Sequence, residues 1–300
     1  MTEATKRDDT VGAILAIAAA VGLGLAVAVS RYAYLGGTNG LTVATIRGVV
    51  ALAGLAAFCL LTRRELRLPF RLWAHCAGLG VLMSIMFYGN VGSVQYISVG
   101  LAALLFFTYP PIIVVISAAL LRERVSAMKA LAVVTAFVGL ALMLGVSLES
   151  VDPRGVVLSL AASVCCAWNA VWLARKVSHL DAIVVTFHMA TVAALVLICV
   201  SLVSGSLQLP TAPVGWAGTF GVVALQASSL PLYFVAIPKI GAMKSGMLTN
   251  VQPVVSIVAA FLLFGEVLNA VQLLGGALVL AGIWLMQWHD SRAARAQAAT

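Results

Sequence analysis

The sequence predicts an all-α membrane protein: ten transmembrane helices arranged as two inverted five-helix repeats. Three observations carry this. Hydrophobic residues make up 62% of the 300 and charged residues only 9%, against roughly 45–50% and about 25% in soluble domains. The second half of the chain repeats the first. The basic residues, finally, sit almost wholly at alternate ends of the apolar segments. So few charges cannot cover the apolar surface of a soluble fold, so the solvent is largely lipid. There the backbone must satisfy its own hydrogen bonds, which leaves helices as the spanning element.

A spanning helix needs about 20 mostly apolar residues. Ten such segments follow in order, at 11–35, 41–62, 72–95, 97–121, 127–147, 154–176, 182–203, 213–237, 240–264 and 267–288. The first follows Lys6 and Arg7 and resembles a signal peptide. It matches the sixth segment in the repeat, however, and its removal would leave one half incomplete, so it is expected to remain as a helix. The fourth contains Pro110 and Pro111 and the ninth Pro253, which are expected to kink them. The fifth and tenth are rich in glycine (Gly139 and Gly145; Gly275, Gly276 and Gly282) and read as a closely packed scaffold that offers a homodimer surface. The domains are therefore a cytoplasmic tail at 1–10, a five-helix repeat at 11–147, a second at 154–288 and a cytoplasmic tail at 289–300. No soluble catalytic domain is expected.

The repeat has one fixed offset, that from Gly12 to Gly155. Gly12-Ala13-Ile14-Leu15 meets Gly155-Val156-Val157-Leu158. Ile97, Pro110, Glu123, Ala127, Gly139 and Met143 meet Ile240, Pro253, Glu266, Ala270, Gly282 and Met286 without a gap. Matches of Leu, Ala and Val are cheap in so apolar a chain, whereas those of Gly, Pro and Glu are not. Internal repeats in membrane proteins point to transporters.

With both termini in the cytoplasm, the basic residues of 6–7, 63–71, 122–129, 175–176, 239–244 and 292–295 all fall inside, leaving only Arg31, Arg47 and Arg154 elsewhere. This positive-inside bias accounts for the net charge of +8 without a nucleic-acid partner. Five helices per half is an odd number, so the two halves enter the membrane from opposite sides. Such inverted halves adopt two related shapes, each open to one side, which is the basis of alternating access. The expected location is the cell (inner) membrane.

The stretch Tyr96-Ile97-Ser98-Val99-Gly100-Leu101-Ala102-Ala103-Leu104-Leu105, followed by Tyr109-Pro110 and by Leu121-Arg122-Glu123-Arg124, has a twin in Ile240-Gly241-Ala242-Met243-Lys244-Ser245-Gly246, then Gln252-Pro253, then Phe264-Gly265-Glu266. Both resemble the drug/metabolite transporter superfamily of EamA type, and Trp168-Asn169 before Arg175-Lys176 resembles that family's sixth helix. The resemblance covers essentially the whole chain and implies ten helices in two repeats. Within the superfamily the chain is similar to bacterial exporters of aromatic and other neutral amino acids. It departs from the family at Val21-Gly22-Leu23-Gly24, where a Trp is common, and in reading Arg122-Glu123 where its own second half reads Gly265-Glu266.

Candidate substrate contacts are polar or aromatic side chains at membrane depth, which are costly unless they face the interior or water. Tyr109 and Gln252 precede the prolines at equivalent positions, with Asn250 two residues earlier. Gln226 and Tyr233 share a helical face, and the repeat places Met83 and Asn90 on the matching face of the third segment, near Tyr88. Trp168 and Asn169 complete a set suited to a zwitterion with an apolar side chain, and convergence of these faces on a central cavity is expected. Arg47 is the only base well inside a segment. It suits either a substrate carboxylate or helix-end carbonyls at the outer mouth. His188 is positioned to titrate, and His75 to snorkel toward the cytoplasmic edge.

All ten acids lie at segment ends or in loops. A mid-membrane carboxylate relay and a site for a polyamine are thereby excluded, and flux down the substrate gradient or with weak proton coupling is expected. The five cysteines have neither metal nor disulfide spacing, and no metal or cofactor is expected. There is no H-E-x-x-H and no phosphate loop, which argues against an enzyme or a self-powered pump. A channel-like facilitator would show a filter motif or a charged ring, and a phosphate-ester exchanger several cavity-facing bases.

Overall fold

The computed structural model describes residues 3–121, 126–145, 151–240, 245 and 248–298. The motif residues Arg122, Glu123 and Arg124, and Gly241, Ala242, Met243, Lys244 and Gly246, lie outside the described residues. The helices in chain order are α1 (Glu3–Leu35), α2 (Gly40–Leu61), α3 (Phe70–Gly92), which continues into a 3₁₀ turn (Ser93–Gln95), α4 (Val99–Phe106), α5 (Tyr109–Leu121), α6 (Ala127–Gly145), α7 (Pro153–Lys176), α8 (Ala182–Val203), α9 (Pro213–Ile240), α10 (Val251–Phe264) and α11 (Ala270–Ala298). Among the described residues eight helical stretches are long and apolar enough to cross a membrane, counting Val99–Ala119 as one, and Ala127–Leu142 and Val251–Phe264 are shorter apolar helices. Ten segments in two sets of five, all helical, make this a multi-pass membrane protein.

Helix starts are set by side chains that satisfy otherwise unpaired amide groups. Asn39 accepts from Thr42 N–H at 2.8 Å at the head of α2. Asp181 accepts from Ile183 and Val184 at the head of α8. At α7, Asp152 accepts from Arg154 N–H, and Pro153 fills the first turn, where no amide donor is needed. The guanidinium of Arg154, 2.7 Å from Asp152, holds that carboxyl below the usual carboxylate range. Gly265 ends α10 with φ +65°, a left-handed turn that glycine adopts without strain.

The fourth segment corrects the sequence expectation. Pro110 and Pro111 do not kink one helix from within: the helix stops at Phe106, turns through Phe107 and Thr108, and restarts at Tyr109. Two adjacent prolines leave the Phe106 and Phe107 carbonyls without α-helical donors, and they fit a first turn, where amide protons are unpaired anyway. The ninth segment is interrupted close to the equivalent position. Thr249 and Asn250 form a turn, α10 starts at Val251, and Pro253 lies in its first turn.

The chain forms two compact units, each drawing on both repeats, with boundaries inside α1 and α9. The first contains 29–97 and 151–223; the second contains 1–28, 98–150 and 224–300. In the first unit α3 packs against α7, α8 and α2, and α2 against α8. Cys76, Leu79, Val177, Val185 and Met189 form a buried cluster. The Thr45 and Ser201 hydroxyls, 2.8 Å apart, join α2 to α8.

In the second unit the dominant pairing is α6 with α11. A Cβ on Gly139 would collide with the Gly275 carbonyl oxygen, and one on Gly282 would come within 2.6 Å of the Ala132 carbonyl oxygen. The small residues of these helices are thus used against each other, within one chain. In the same unit the Glu266 carboxylate reaches across 167 residues of sequence to accept the Val99 N–H at 2.9 Å, at the start of α4.

Candidate functional site

In the first unit the site is built on α2 and α3. Arg47 lies seven residues into α2, about 10 Å along its axis at 1.5 Å per residue. Its guanidinium carbon stands 4.9 Å from the centroid of the Phe87 ring, and Nη1 points at Asn90 Oδ1, 3.4 Å away. Phe87 and Asn90 are three apart on α3 and share a face. Nε is buried and makes no hydrogen bond. Among the described residues no carboxylate pairs with Arg47, whose one hydrogen bond runs to a side-chain amide rather than to helix-end carbonyls. Nearby, Tyr34 on the last turn of α1 donates to the Val91 carbonyl at 2.8 Å, tying α1 to α3. Tyr88, half-buried, lies over Gly92, where a Cβ would meet its ring at 2.9 Å.

Other predicted residues of this unit lie as follows. Asn169 is buried and donates Nδ2 to the Leu79 carbonyl at 2.9 Å, joining α7 to α3. Its neighbour Trp168 is 38% exposed, as adjacent helical residues point about 100° apart. Met83 packs beside the Cys76–Leu79 cluster. His75 Nδ1 accepts from Trp172 Nε1 at 3.2 Å. His188 donates Nε2–H to the Leu66 carbonyl at 2.8 Å.

In the second unit Gln226 is buried, and its Oε1 has no hydrogen bond. Tyr233, on the same face of α9, is half-buried. Asn250, in the turn before α10, donates Nδ2 to Gln287 Oε1 at 2.6 Å, while its own buried Oδ1 accepts nothing. Gln252 is half-buried in the first turn of α10. Ser256 shares its hydroxyl between the Gln252 carbonyl at 3.2 Å and the Gly24 carbonyl at 3.0 Å. Tyr109 packs against the rings of Phe106 and Phe107 at 5.7 and 5.8 Å, across the break between α4 and α5. Pro110, Pro111 and Pro253 are buried.

Three predicted residues, Arg47, Gln226 and Asn250, therefore hold a buried polar atom without a partner. Each such atom costs about 1–3 kcal/mol unless something fills it. Two relevant residues escaped the sequence reading. Phe87 was legible as the position one turn before Asn90. Tyr34 had no signal beyond being a tyrosine near a helix end. Among the described residues no three His, Cys, Asp or Glu side chains gather as a metal site would require.

The sequence profile of the EamA-like transporter family matches this chain twice, over residues 10–145 and 153–288. The chain belongs to that family. The two matches fall on the two repeats, and membership makes the protein a transporter of small molecules. An uncharacterized transporter of Archaeoglobus fulgidus is 26% identical over 257 residues, 85% of this chain and 88% of that one. A solved structure described only as the crystal structure of a protein superposes with a TM-score of 0.62 at 17% identity, covering 93% of this chain and 96% of its own. That likeness speaks to the fold.

Proposed function

We propose that this EamA-family protein is a secondary exporter of the cell (inner) membrane, with both termini cytoplasmic. It moves small neutral metabolites, foremost amino acids with aromatic or other apolar side chains, by alternating access between its inverted repeats. The observation that carries the reading is the economy of charge. Arg47 is the one base deep in a segment, no acid lies at that depth, and the buried polar groups are neutral hydroxyls and amides. A zwitterion with no net charge suits such surroundings, whereas a polyamine finds no counter-charge and a phosphate ester too few bases. Tyr88 and Asn90 on α3, and Gln226 and Tyr233 on α9, are the proposed substrate contacts. The broken segments support the reading as well, because interrupted helices expose backbone carbonyls where transporters bind substrate. A homodimer through α6 and α11 would use outward residues such as Val134 and Leu274, since the glycines are already packed.

Counterflow in proteoliposomes tests this with phenylalanine, leucine, lysine and glucose 6-phosphate, with and without a pH gradient. Exchange of the two apolar amino acids alone, without a gradient, is the expected result. Uptake of lysine or of the phosphate ester instead would overturn the substrate class, and flux confined to an imposed gradient would overturn the coupling.

A further inference from the structure

We infer that Arg47 is the carboxylate receptor of this transporter, held in place by Asn90 and Phe87. The inference rests on the amino-acid reading above but names the group that selects. Four observations converge on one residue. The guanidinium sits about 10 Å into α2, where an uncompensated charge is expensive. No carboxylate among the described residues pairs with it. Asn90 Oδ1 engages Nη1 alone, and the guanidinium carbon lies over the Phe87 ring, 4.9 Å from its centroid. That leaves the Nε and Nη2 edge without a hydrogen bond, with Nε buried. This edge is one of the two forks on which a guanidinium holds a carboxylate through two parallel bonds. Arg47 as a whole keeps partial exposure.

A structural arginine at this depth would spend its donors on carbonyls or on an acid of its own chain. This one has a single, long hydrogen bond to a neutral amide. Asn90 can accept from the guanidinium but cannot neutralise it, so it orients the cation and leaves its charge for a ligand. The chemistry fits one monocarboxylate. A lipid phosphate carries similar charge, and the test separates the two.

The probes are L-phenylalanine against L-phenylalaninamide, and phenylacetate against phenylacetamide, binding to the full-length protein in nanodiscs of phosphatidylcholine with 0 or 30% phosphatidylglycerol. In the wild type each acid should bind better than its amide. Arg47→Gln should weaken the acids about 10- to 100-fold, the range of a hydrogen bond to a charged group, and leave the amides nearly unchanged. Arg47→Lys should recover part of the preference, because it keeps the charge and loses the fork. Asn90→Asp supplies an internal counter-ion and should remove the preference in a well-folded protein, so it decides the matter where Arg47→Gln misfolds. An acid-to-amide ratio that survives both changes overturns the inference. So does acid binding that falls as phosphatidylglycerol rises in the wild type but not in Arg47→Gln, which would assign the guanidinium to a lipid phosphate. If phenylacetate binds through Arg47 while no amino acid does, the amino-acid reading falls and the carboxylate receptor stands.

Discussion

Two buried amides show how residues of one type divide into structural and functional roles. Asn169 spends its Nδ2 on the Leu79 carbonyl, whereas Gln226 is buried with its Oε1 unpaired. The physics predicts opposite responses to the loss of polarity. Asn169→Leu removes a helix–helix hydrogen bond and should lower thermal stability by about 1 kcal/mol, the usual scale of such bonds. Gln226→Leu removes an unpaired acceptor from an apolar setting and should leave stability unchanged or raise it, while reducing transport at least tenfold if Oε1 meets the substrate. Thermal shift and counterflow on the two variants, beside Leu274→Ala on an exposed face of α11, read both quantities. A Gln226→Leu protein that is destabilised and still transports at the wild-type rate would make Gln226 a packing residue. The sequence marked both amides as polar groups at membrane depth but could not separate them. Which one finds a carbonyl depends on α7 lying against α3, and nothing local records that. Trp168 shows the same limit, because adjacent residues on a helix point about 100° apart and the pair Trp168-Asn169 reads as one motif.

At the level of elements, the breaks in the fourth and ninth segments lie where hydropathy is silent. Phe106, Phe107 and Thr108 continue an apolar run, so the segment reads as one helix with two prolines inside it. The better clue was that the prolines are adjacent. One proline can kink a helix, but two together remove consecutive donors and favour a fresh start at Tyr109. Replacing both, Pro110→Ala with Pro111→Ala, restores those donors and should join α4 to α5. The expected outcome is a protein at least as stable that transports more slowly, because carbonyls freed at the break would be bonded again. Unchanged transport would reduce the break to a matter of shape. The start of α4 depends on Glu266, whose carboxylate accepts the Val99 N–H and also favours the positive end of the helix. Glu266→Ala should cost about 1.5–3 kcal/mol, as expected for a hydrogen bond to a charged group, and Glu266→Gln less, since an amide oxygen still accepts. An unaltered melting temperature for Glu266→Ala would mean that the contact contributes nothing net. The repeat singled out Glu266 by its match to Glu123, but the 167 residues between donor and acceptor put their meeting beyond any sequence pattern.

For the whole molecule, fold class was legible because the properties that set it are summed over many residues: apolar content, the single repeat offset and the sidedness of charge. That sidedness makes the strongest claim about the protein in its membrane. The loop after α2 carries Arg63, Arg64 and Arg67, with Arg71 just beyond it, while the repeat-equivalent loop after α8, residues 204–212, has no basic residue. Inverted repeats place equivalent loops on opposite sides, and positive charge is retained on the cytoplasmic side. The arginine loop should therefore be inside and 204–212 outside. Glu65 and Leu207 are both exposed, so each tolerates a reporter. With the native cysteines replaced by serine, Leu207→Cys should react with a membrane-impermeant maleimide on intact cells, and Glu65→Cys only after permeabilisation. Replacing the native thiols matters because Cys199, near the end of α8, is itself exposed. Reversed labelling would invert the protein in the membrane and turn the proposed exporter around. Labelling of both sites from one side would break the inverted relation itself, and with it the argument that equal halves exchange access between the two faces.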